Sequence, residues 1–402
     1  LSSSHPATLT IIGAGIAGAS VAWLMAERGW RVRVLDAASP GHGGSGNAAA
    51  ILYPKLVDAA LTPSHIQSLA FLRTLDILSD ARLAEHVDRS GVLWLQTRKH
   101  RVEIGPDHPW WRRYVWPMTA EEASQKAGTS LTVPALWLPH AGLIHPAGLL
   151  ARIFAHPLVE MLPHHEVMRV TPDGMGWQLE VQRSVHGDQI HMTAEHLVIA
   201  VAGNIAPLLK TKHLPLKPVR GQISSFAPAL PIKTTLCYGG YVTPEFQKQH
   251  VLGATFQPGR NDSSPCHEDQ LANQAALLEA VPSLAQYMAS SQVGSWRARA
   301  SVRWQTPDYL PLVGWLPWPS DYERYLRDRV PSRPLTASAI ESLPKIGVSV
   351  GHGSKGFSQA WLAADLLCQA LTQSSQPHLS EVQERLRPDR FLLKAWKRGQ
   401  LK

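Results

Sequence analysis

The hydrophobic pattern opens with a short apolar run, Thr8–Ile12, that reads as a buried strand. Ile16–Arg28 follows as a helix with small residues on its packing side, and Arg31–Leu35 alternates basic and apolar positions as a second strand. Together they predict a βαβ unit of about 30 residues. A Gly-rich loop runs from Pro40 to Asn47, and an amphipathic helix is expected from about Ser64 to Glu85. Val92–Pro139 is Trp-rich and reads as irregular, while His196–Ala202 is strand-like and ends in Ala202-Gly203-Asn204, a strand-to-loop signature. Pro215–Phe256 predicts successive antiparallel strands broken by Gly and Pro turns. Glu268–Ala280 and Trp361–Leu371 read as helices, and Pro317–Pro344 as a surface insertion punctuated by Pro and Arg.

Composition narrows the class without deciding it. At 402 residues the chain holds two to three domains' worth of sequence at about 150 residues each. Hydrophobic content of 44% with 17% charged residues excludes a disordered tail protein. The net charge of +8 is moderate for this length and leaves open both a solvated basic surface and an acidic partner such as nucleic acid. Fourteen Trp against seven Phe supplies flat side chains for clefts or cores alike. Cys237, Cys266 and Cys368 form no C-x-x-C, which argues against a disulfide scaffold and a metal site and fits a reducing cytoplasm. The apolar stretch Leu9–Ala26 lacks a basic leader and contains turn-forming glycines, so neither a signal peptide nor a membrane span is expected. The first residue is Leu1, not Met, as expected of a processed or excised piece.

Chemistry first becomes specific at Gly13-Ala14-Gly15-Ile16-Ala17-Gly18, a G-x-G-x-x-G between strand and helix. The first glycine permits the tight turn, the second lets backbone amides approach a pyrophosphate, and the third allows close helix–strand packing. Asp36 ends the second strand, where a carboxylate can bind a ribose hydroxyl. This is a dinucleotide site in a Rossmann-like fold. A second glycine-rich segment, Gly351-His352-Gly353-Ser354-Lys355-Gly356, follows the apolar run Ile346–Val350 and precedes a helix. Its amides and helix dipole are placed to stabilise negative charge. His352 is open to two readings there, as a structural turn histidine or as a ligand or base.

Over nearly its whole length the chain resembles the D-amino acid oxidase–glycine oxidase superfamily of flavoproteins. The resemblance is carried by the opening motif, the Ser45-Gly46-Asn47 loop, Ala200-Val201-Ala202-Gly203, Pro218-Val219-Arg220-Gly221-Gln222 and Gly351–Gly356. It implies an α/β fold: a Rossmann-like FAD-binding domain interleaved with an antiparallel-sheet substrate domain. The expected bounds are 1–85, 141–214 and 300–402 for the first and 86–140 and 215–299 for the second. The implied cofactor is FAD, held without a covalent tether. Its expected contacts are Gly13, Gly15, Ile16, Ala17, Gly18, Asp36, Ser45, Asn47, Val167, Ala202, Gly203, Ser354, Lys355, Gly356 and Phe357. Asp36 stands where such flavoproteins commonly carry Glu.

Within the superfamily the chain is similar to the flavin module of bifunctional tRNA 5-methylaminomethyl-2-thiouridine biosynthesis proteins. The features are Ser45-Gly46-Asn47 running into Ala50-Ile51-Leu52-Tyr53-Pro54, Gly240-Tyr241-Val242-Thr243-Pro244, Gly253-Ala254-Thr255-Phe256, Val302–Gly314, and Arg387-Pro388-Asp389-Arg390. This likeness implies oxidative removal of the carboxymethyl group from carboxymethylaminomethyl-uridine at the tRNA wobble position, leaving aminomethyl-uridine and glyoxylate. Molecular oxygen is the expected electron acceptor and tRNA the partner. A methyltransferase module accompanies this one in the bifunctional proteins, and the sequence contains none. The resemblance puts a carboxylate grip on Arg303 and Tyr241, with Lys355 supplementing it or activating oxygen; Arg303 in an ion pair with Asp308 is the structural alternative. A guanidinium fork suits a carboxylate.

The C-terminal segment adds Arg385, Arg387, Arg390, Lys394, Lys397, Arg398 and Lys402, with Phe391, Leu392, Leu393 and Trp396 interleaved and Asp389 the lone acid. This suits docking by an apolar side with cations offered to phosphates, or else a solvated helix whose cations offset its dipole. Two rival functions share the flavin site: an oxidase of glycine, sarcosine or a D-amino acid, and a flavin-bearing RNA-binding or partner-docking module with little turnover.

Overall fold

The computed structural model describes residues 7–56, 65–103, 113–174, 176–185, 187–209, 214–227, 229–289, 293–317, 345–372, 374 and 377–398. The opening unit forms as the pattern predicts. Thr8–Ile12, buried at every position after the first, lies inside a six-stranded sheet ordered Leu312–Pro317, Lys345–Val350, His196–Ile199, Thr8–Ile12, Arg31–Leu35, Val159–Leu162. All neighbours run parallel except the edge pair Leu312–Pro317 and Lys345–Val350. A parallel sheet must be covered on both faces, which is why these strands read as continuous apolar runs. The helices Ile16–Ala26 and Gly356–Leu371 lie side by side over one face, with Ile66–Ile77 against the second of them. Ile16–Ala26 has no polar stripe: every residue but Ala17 is buried. The other face is covered by a three-stranded antiparallel meander, His165–Asp173, Gly176–Arg183 and Asp188–Ala194, which packs Val167, Leu179 and Val181 on Ile12 and Ile199.

The second lobe is a nine-stranded sheet whose longest partners, Lys217–Phe226 and Arg297–Gln305, pair antiparallel from Lys217↔Gln305 to Ser225↔Arg297. Within it Thr235–Cys237 and Val92–Leu95 run parallel, so the expected antiparallel sheet is mixed at that one join. The strand Arg297–Gln305 straddles the expected boundary at residue 300 and belongs wholly to this sheet.

Three local expectations change. Val92–Pro139 is not wholly irregular: its described residues supply the strands Val92–Leu95, Trp116–Met118 and Ala135–Leu138 and the helix Ala120–Ala127. Short apolar runs such as Val-Leu-Trp-Leu carry no period to identify them, but the Thr119/Glu122 capping box was a legible helix start. The helix expected over Ser64–Glu85 is two, Ile66–Ile77 and Ala81–Ala84, divided where Asp80 accepts the Arg82 N–H and caps the second. The helix expected at Trp361 begins at Gly356. Residues 318–344 of the expected insertion lie outside the described residues. No helix among the described residues is long and apolar enough to cross a membrane.

Candidate active site

A cavity of about 750 Å³ is shared by the two sheets, a volume typical of a cofactor site. The parallel sheet contributes its strand ends at Ile12 and Ala200, and the mixed sheet contributes Tyr241, Val302 and Arg303.

On the nucleotide side, Gly13, Gly15, Ile16 and Ala17 form the floor. Gly13 sits at φ +110°, and a β-carbon there would come within 2.5 Å of the Ala200 carbonyl, so the turn admits only glycine. Gly18 does not line the cavity; a β-carbon there would lie 1.9 Å from the Gly13 carbonyl, and it serves the packing of the helix on its own loop. Asp36 lines the cavity and is already engaged: Oδ2 accepts the Ala14 N–H at 2.6 Å and Oδ1 the Ala38 N–H at 2.8 Å. It thus fixes the glycine turn while keeping lone pairs for a ribose hydroxyl. Ser45 caps the dinucleotide helix, its Oγ accepting the Ile16 N–H at 3.0 Å. Asn47, Val167 and Ala202 line the cavity, Ala202 at φ +54°. Gly203 does not; it makes room for the Trp304 indole, which a β-carbon would meet at 2.0 Å. Ser354, in the turn Gly353–Lys355, and Gly356 and Phe357, which open the helix Gly356–Leu371, bring a second helix N-terminus to the cavity, a source of backbone donors and partial positive charge.

Arg303 and Tyr241 meet at the opposite wall. Burial lowers the Arg303 pKa, with Tyr241 opposing, and raises the Tyr241 phenol well above its ordinary value, so at neutral pH the pair is a cation beside a neutral hydroxyl. The space for the guanidinium is provided by Gly221, whose β-carbon would fall 1.7 Å from Arg303 Nη2. The hydrogen bond of Arg303 is to the Thr255 carbonyl at 3.3 Å, and it has no carboxylate partner among the described residues. Asp308 is bound instead by Arg390, at 2.9 and 2.8 Å, which disposes of the alternative ion pair. A buried cation without an anion is expensive; the cavity is where one can enter.

Lys355 departs from its expected position. It is not on the cavity wall; its Nζ lies 3.4 Å from the centre of the Tyr53 ring, and Tyr53 forms the wall. Burial lowers its pKa to about 7. His352 lines the cavity with Nε2 3.0 Å from Ser349 Oγ, while burial lowers its pKa to about 4, so it is a neutral histidine with Nδ1 unpartnered.

Arg299 escaped the sequence reading. Its Nη1 donates to Asn47 Oδ1 at 2.8 Å, and its Nη2 to the His42 and Gly43 carbonyls at 2.7 and 2.6 Å, tying the Ser45 loop to the mixed sheet. The one available signal was the Arg-x-Arg-x-x-x-Arg run in an alternating strand, where Arg299 and Arg303 share a face.

The basic segment divides. Arg387 is committed to Asp389 and Glu384, and Arg390 to Asp308. Arg385, Lys394, Lys397 and Arg398 are exposed. Leu392 is buried against the core of the parallel sheet, with Phe391 and Leu393 beside it. Lys402 lies outside the described residues.

The cavity fits FAD: a cradle free of side chains at Gly13 and Gly15, two helix N-termini, Asp36, and the orphaned His352 Nδ1. Comparison with known proteins bears on the same point. The chain is 32% identical over 400 residues to the "tRNA 5-methylaminomethyl-2-thiouridine biosynthesis bifunctional protein MnmC" of Stutzerimonas stutzeri (strain A1501), covering 97% of this chain and 60% of that protein. It is also 32% identical to the protein of the same name from Methylobacillus flagellatus, covering 96% of this chain and 59% of that one. The chain thus spans about three fifths of the length of these relatives. Among solved structures, glycine oxidase from Geobacillus kaustophilus superposes with a TM-score of 0.71 at 20% identity, covering 96% of this chain and 99% of that one. That likeness supports the expected α/β fold. The family described as FAD dependent oxidoreductase matches residues 8–370, and the chain belongs to it: this is an FAD-dependent oxidoreductase.

Proposed function

We propose that this enzyme oxidatively removes the carboxymethyl group from 5-carboxymethylaminomethyl(-2-thio)uridine at the tRNA wobble position, giving 5-aminomethyl(-2-thio)uridine and glyoxylate. The observation that carries the proposal is Arg303, a half-buried guanidinium on the cavity wall with no carboxylate partner among the described residues. A glycine-like carboxylate answers that vacancy, and the names of the tRNA-modifying relatives point to the molecule that bears it. Bound FAD, held without a covalent tether, supplies the two-electron acceptor: the C–H and N–H of the carboxymethylamino group are lost, and water splits the resulting imine into amine and aldehyde.

The residues' task is orientation. Arg303 grips the carboxylate and the Tyr241 hydroxyl donates to it, fixing which C–H faces the cofactor. Lys355 acts through Tyr53, holding that wall in place and adding positive potential behind it. Gly13, Gly15, Ile16, Ala17, Gly18, Asp36, Ser45, Asn47, Val167, Ala202, Gly203, Ser354, Lys355, Gly356 and Phe357 hold the cofactor, either directly or, for Gly18, Gly203 and Lys355, through the packing described above. Arg385, Lys394, Lys397 and Arg398 supply the cations for tRNA phosphates. Oxygen is the proposed final acceptor, a methyltransferase module the fused or separate partner, and the cytoplasm the setting. The FAD-binding lobe is drawn as 1–85, 141–214 and 300–402 and the substrate lobe as 86–140 and 215–299, except that the strand Arg297–Gln305 goes whole with the substrate lobe.

Anaerobic mixing with tRNA carrying carboxymethylaminomethyl-uridine, followed by nucleoside analysis, tests the proposal. Loss of the flavin absorption together with aminomethyl-uridine and glyoxylate is the expected result. Bleaching by glycine, sarcosine or a D-amino acid but not by the tRNA overturns it.

A further inference from the structure

The cavity wall carries an aromatic ring that the chemistry above does not use. Phe256 lines the cavity and is 58% exposed. A lone exposed apolar side chain is ordinary on a flexible surface; this one is mounted on pinned backbone. On one side, the Thr255 N–H donates to the Gln222 carbonyl at 3.1 Å and its Oγ1 accepts the Gln222 N–H at 3.0 Å. On the other, Gln257 accepts from Arg220 Nη1 at 2.8 Å and donates to Asp269 Oδ1 at 2.9 Å, while Gln257–Pro258 pairs with the strand Lys217–Phe226. Phe256 is the residue between two anchors, held out into the opening.

The ring also has a fixed relation to the anion grip, because the Thr255 carbonyl is the acceptor for Arg303. The Phe256 α-carbon is the next along the chain, about 3.8 Å from that of Thr255. In a carboxymethylaminomethyl-uridine, four bonds separate the carboxylate carbon from the pyrimidine ring, a reach of about 5 Å. A carboxylate on Arg303 therefore brings the base to the neighbourhood of the Phe256 ring.

We infer that Phe256 is a specificity-determining residue: its ring stacks on the pyrimidine of the modified nucleotide and selects base-linked substrates. This rests on the function proposed above. Stacking of a base on an aromatic side chain is sequence-tolerant and contributes about 1–3 kcal/mol, or roughly a 5- to 150-fold change in an equilibrium constant.

The test compares Phe256→Ala, Phe256→Leu and Phe256→Trp in the FAD-loaded enzyme, with KM and kcat measured on the modified tRNA. An unchanged flavin absorption spectrum in each variant verifies the cofactor site. Phe256→Ala raises KM at least tenfold with kcat within about twofold, Phe256→Leu stays close to Ala, and Phe256→Trp returns KM to within about threefold of wild type. Leu matching Trp makes the ring an apolar wall and overturns the inference, as does an Ala variant equal to wild type or one that loses kcat alone. A wild-type enzyme that does not turn the tRNA over overturns the parent function as well.

Discussion

The two faces of the paired strands Lys217–Phe226 and Arg297–Gln305 use buried arginine in opposite ways. On one face Arg220, with no exposed surface, donates to Asp269, Gln257, Gln222 Oε1 and the Ser264 carbonyl, and lies 3.0 Å from Asp262. On the other face, one register step away, Arg303 meets a tyrosine, a long bond to a carbonyl, and the cavity. The alternation of a strand separates them: Val219, Gly221, Ser301 and Arg303 point one way, Arg220 and Gln222 the other. A guanidinium already engaged by carboxylates, side-chain amides and a carbonyl is a structural joint; one half-buried on a cavity wall without a carboxylate is available to a ligand anion.

The largest effect should come from the unsaturated side. Replacing Arg303 with Ala is expected to lower kcat/KM about a thousandfold, since truncating one member of a buried charge pair costs about 2–5 kcal/mol. FAD content should remain that of wild type, read by absorbance after gel filtration. Lys at this position should recover part of the loss through charge without the planar fork. An Arg303→Ala enzyme with normal turnover would break the contrast between the two arginines.

On the saturated side the readout is stability. Asp269→Ala leaves Arg220 buried with its main anion gone, and should lower unfolding free energy by about 3 kcal/mol or more in urea titration. The double replacement Arg220→Met with Asp269→Leu should recover most of that loss, because no charge is then left uncompensated. If Asp269→Ala instead unfolds like wild type, Arg220 is not the joint its contacts describe.

Arg299 sharpens the comparison, since it shares the Arg303 face but is saturated by neutral groups, Asn47 Oδ1 and two carbonyls. Its role is to hold the Ser45 loop on the dinucleotide helix. Arg299→Ala should weaken FAD binding about tenfold, of the order of one charged hydrogen bond, measured by flavin fluorescence on dilution. Arg299→Lys should recover part of it. An unchanged affinity would assign the loop's order to Ser45 alone.

These contrasts mark what was legible in the sequence. The glycine turn was readable because its reasons are local: Gly13, Gly15 and Asp36 act within one βαβ unit whose periodicity announces it. The carboxylate side is not local. That Arg303 faces the cavity follows from its register against Val219, and that Asp308 is unavailable follows from Arg390 eighty-two residues away. The resemblance to the oxidase superfamily brought Arg303 and Tyr241 into view, but it did not say that Lys355 would stand behind Tyr53, nor that Arg299 would clasp the loop. The meander from His165 to Ala194 also went unread, although Val167 was expected at the site. Half-exposed alternating strands there look the same whether or not they cover a sheet.

Lys355, half-buried behind the cavity wall, carries the smallest expected effect. Its amine rests on the Tyr53 ring with Lys55 near enough to feel its charge; burial lowers its pKa from 10.5 to about 7, with Cys237 opposing. Between those values the unfolded chain holds a proton that the folded chain has released, so this group makes stability rise with pH from about 7 toward 10.5. Below pH 7 both states are protonated and the folded protein bears the full penalty of an enclosed charge. Lys355→Met removes that penalty. One pKa unit is about 1.4 kcal/mol, and the partial exposure of the residue screens much of the shift, so the variant should gain about 1–2 kcal/mol over wild type at pH 6. The gain should shrink toward zero at pH 10. Urea midpoints of the FAD-loaded proteins at the two pH values decide it: a difference that does not depend on pH would mean that packing against Tyr53, and not the enclosed charge, sets the stability of this wall.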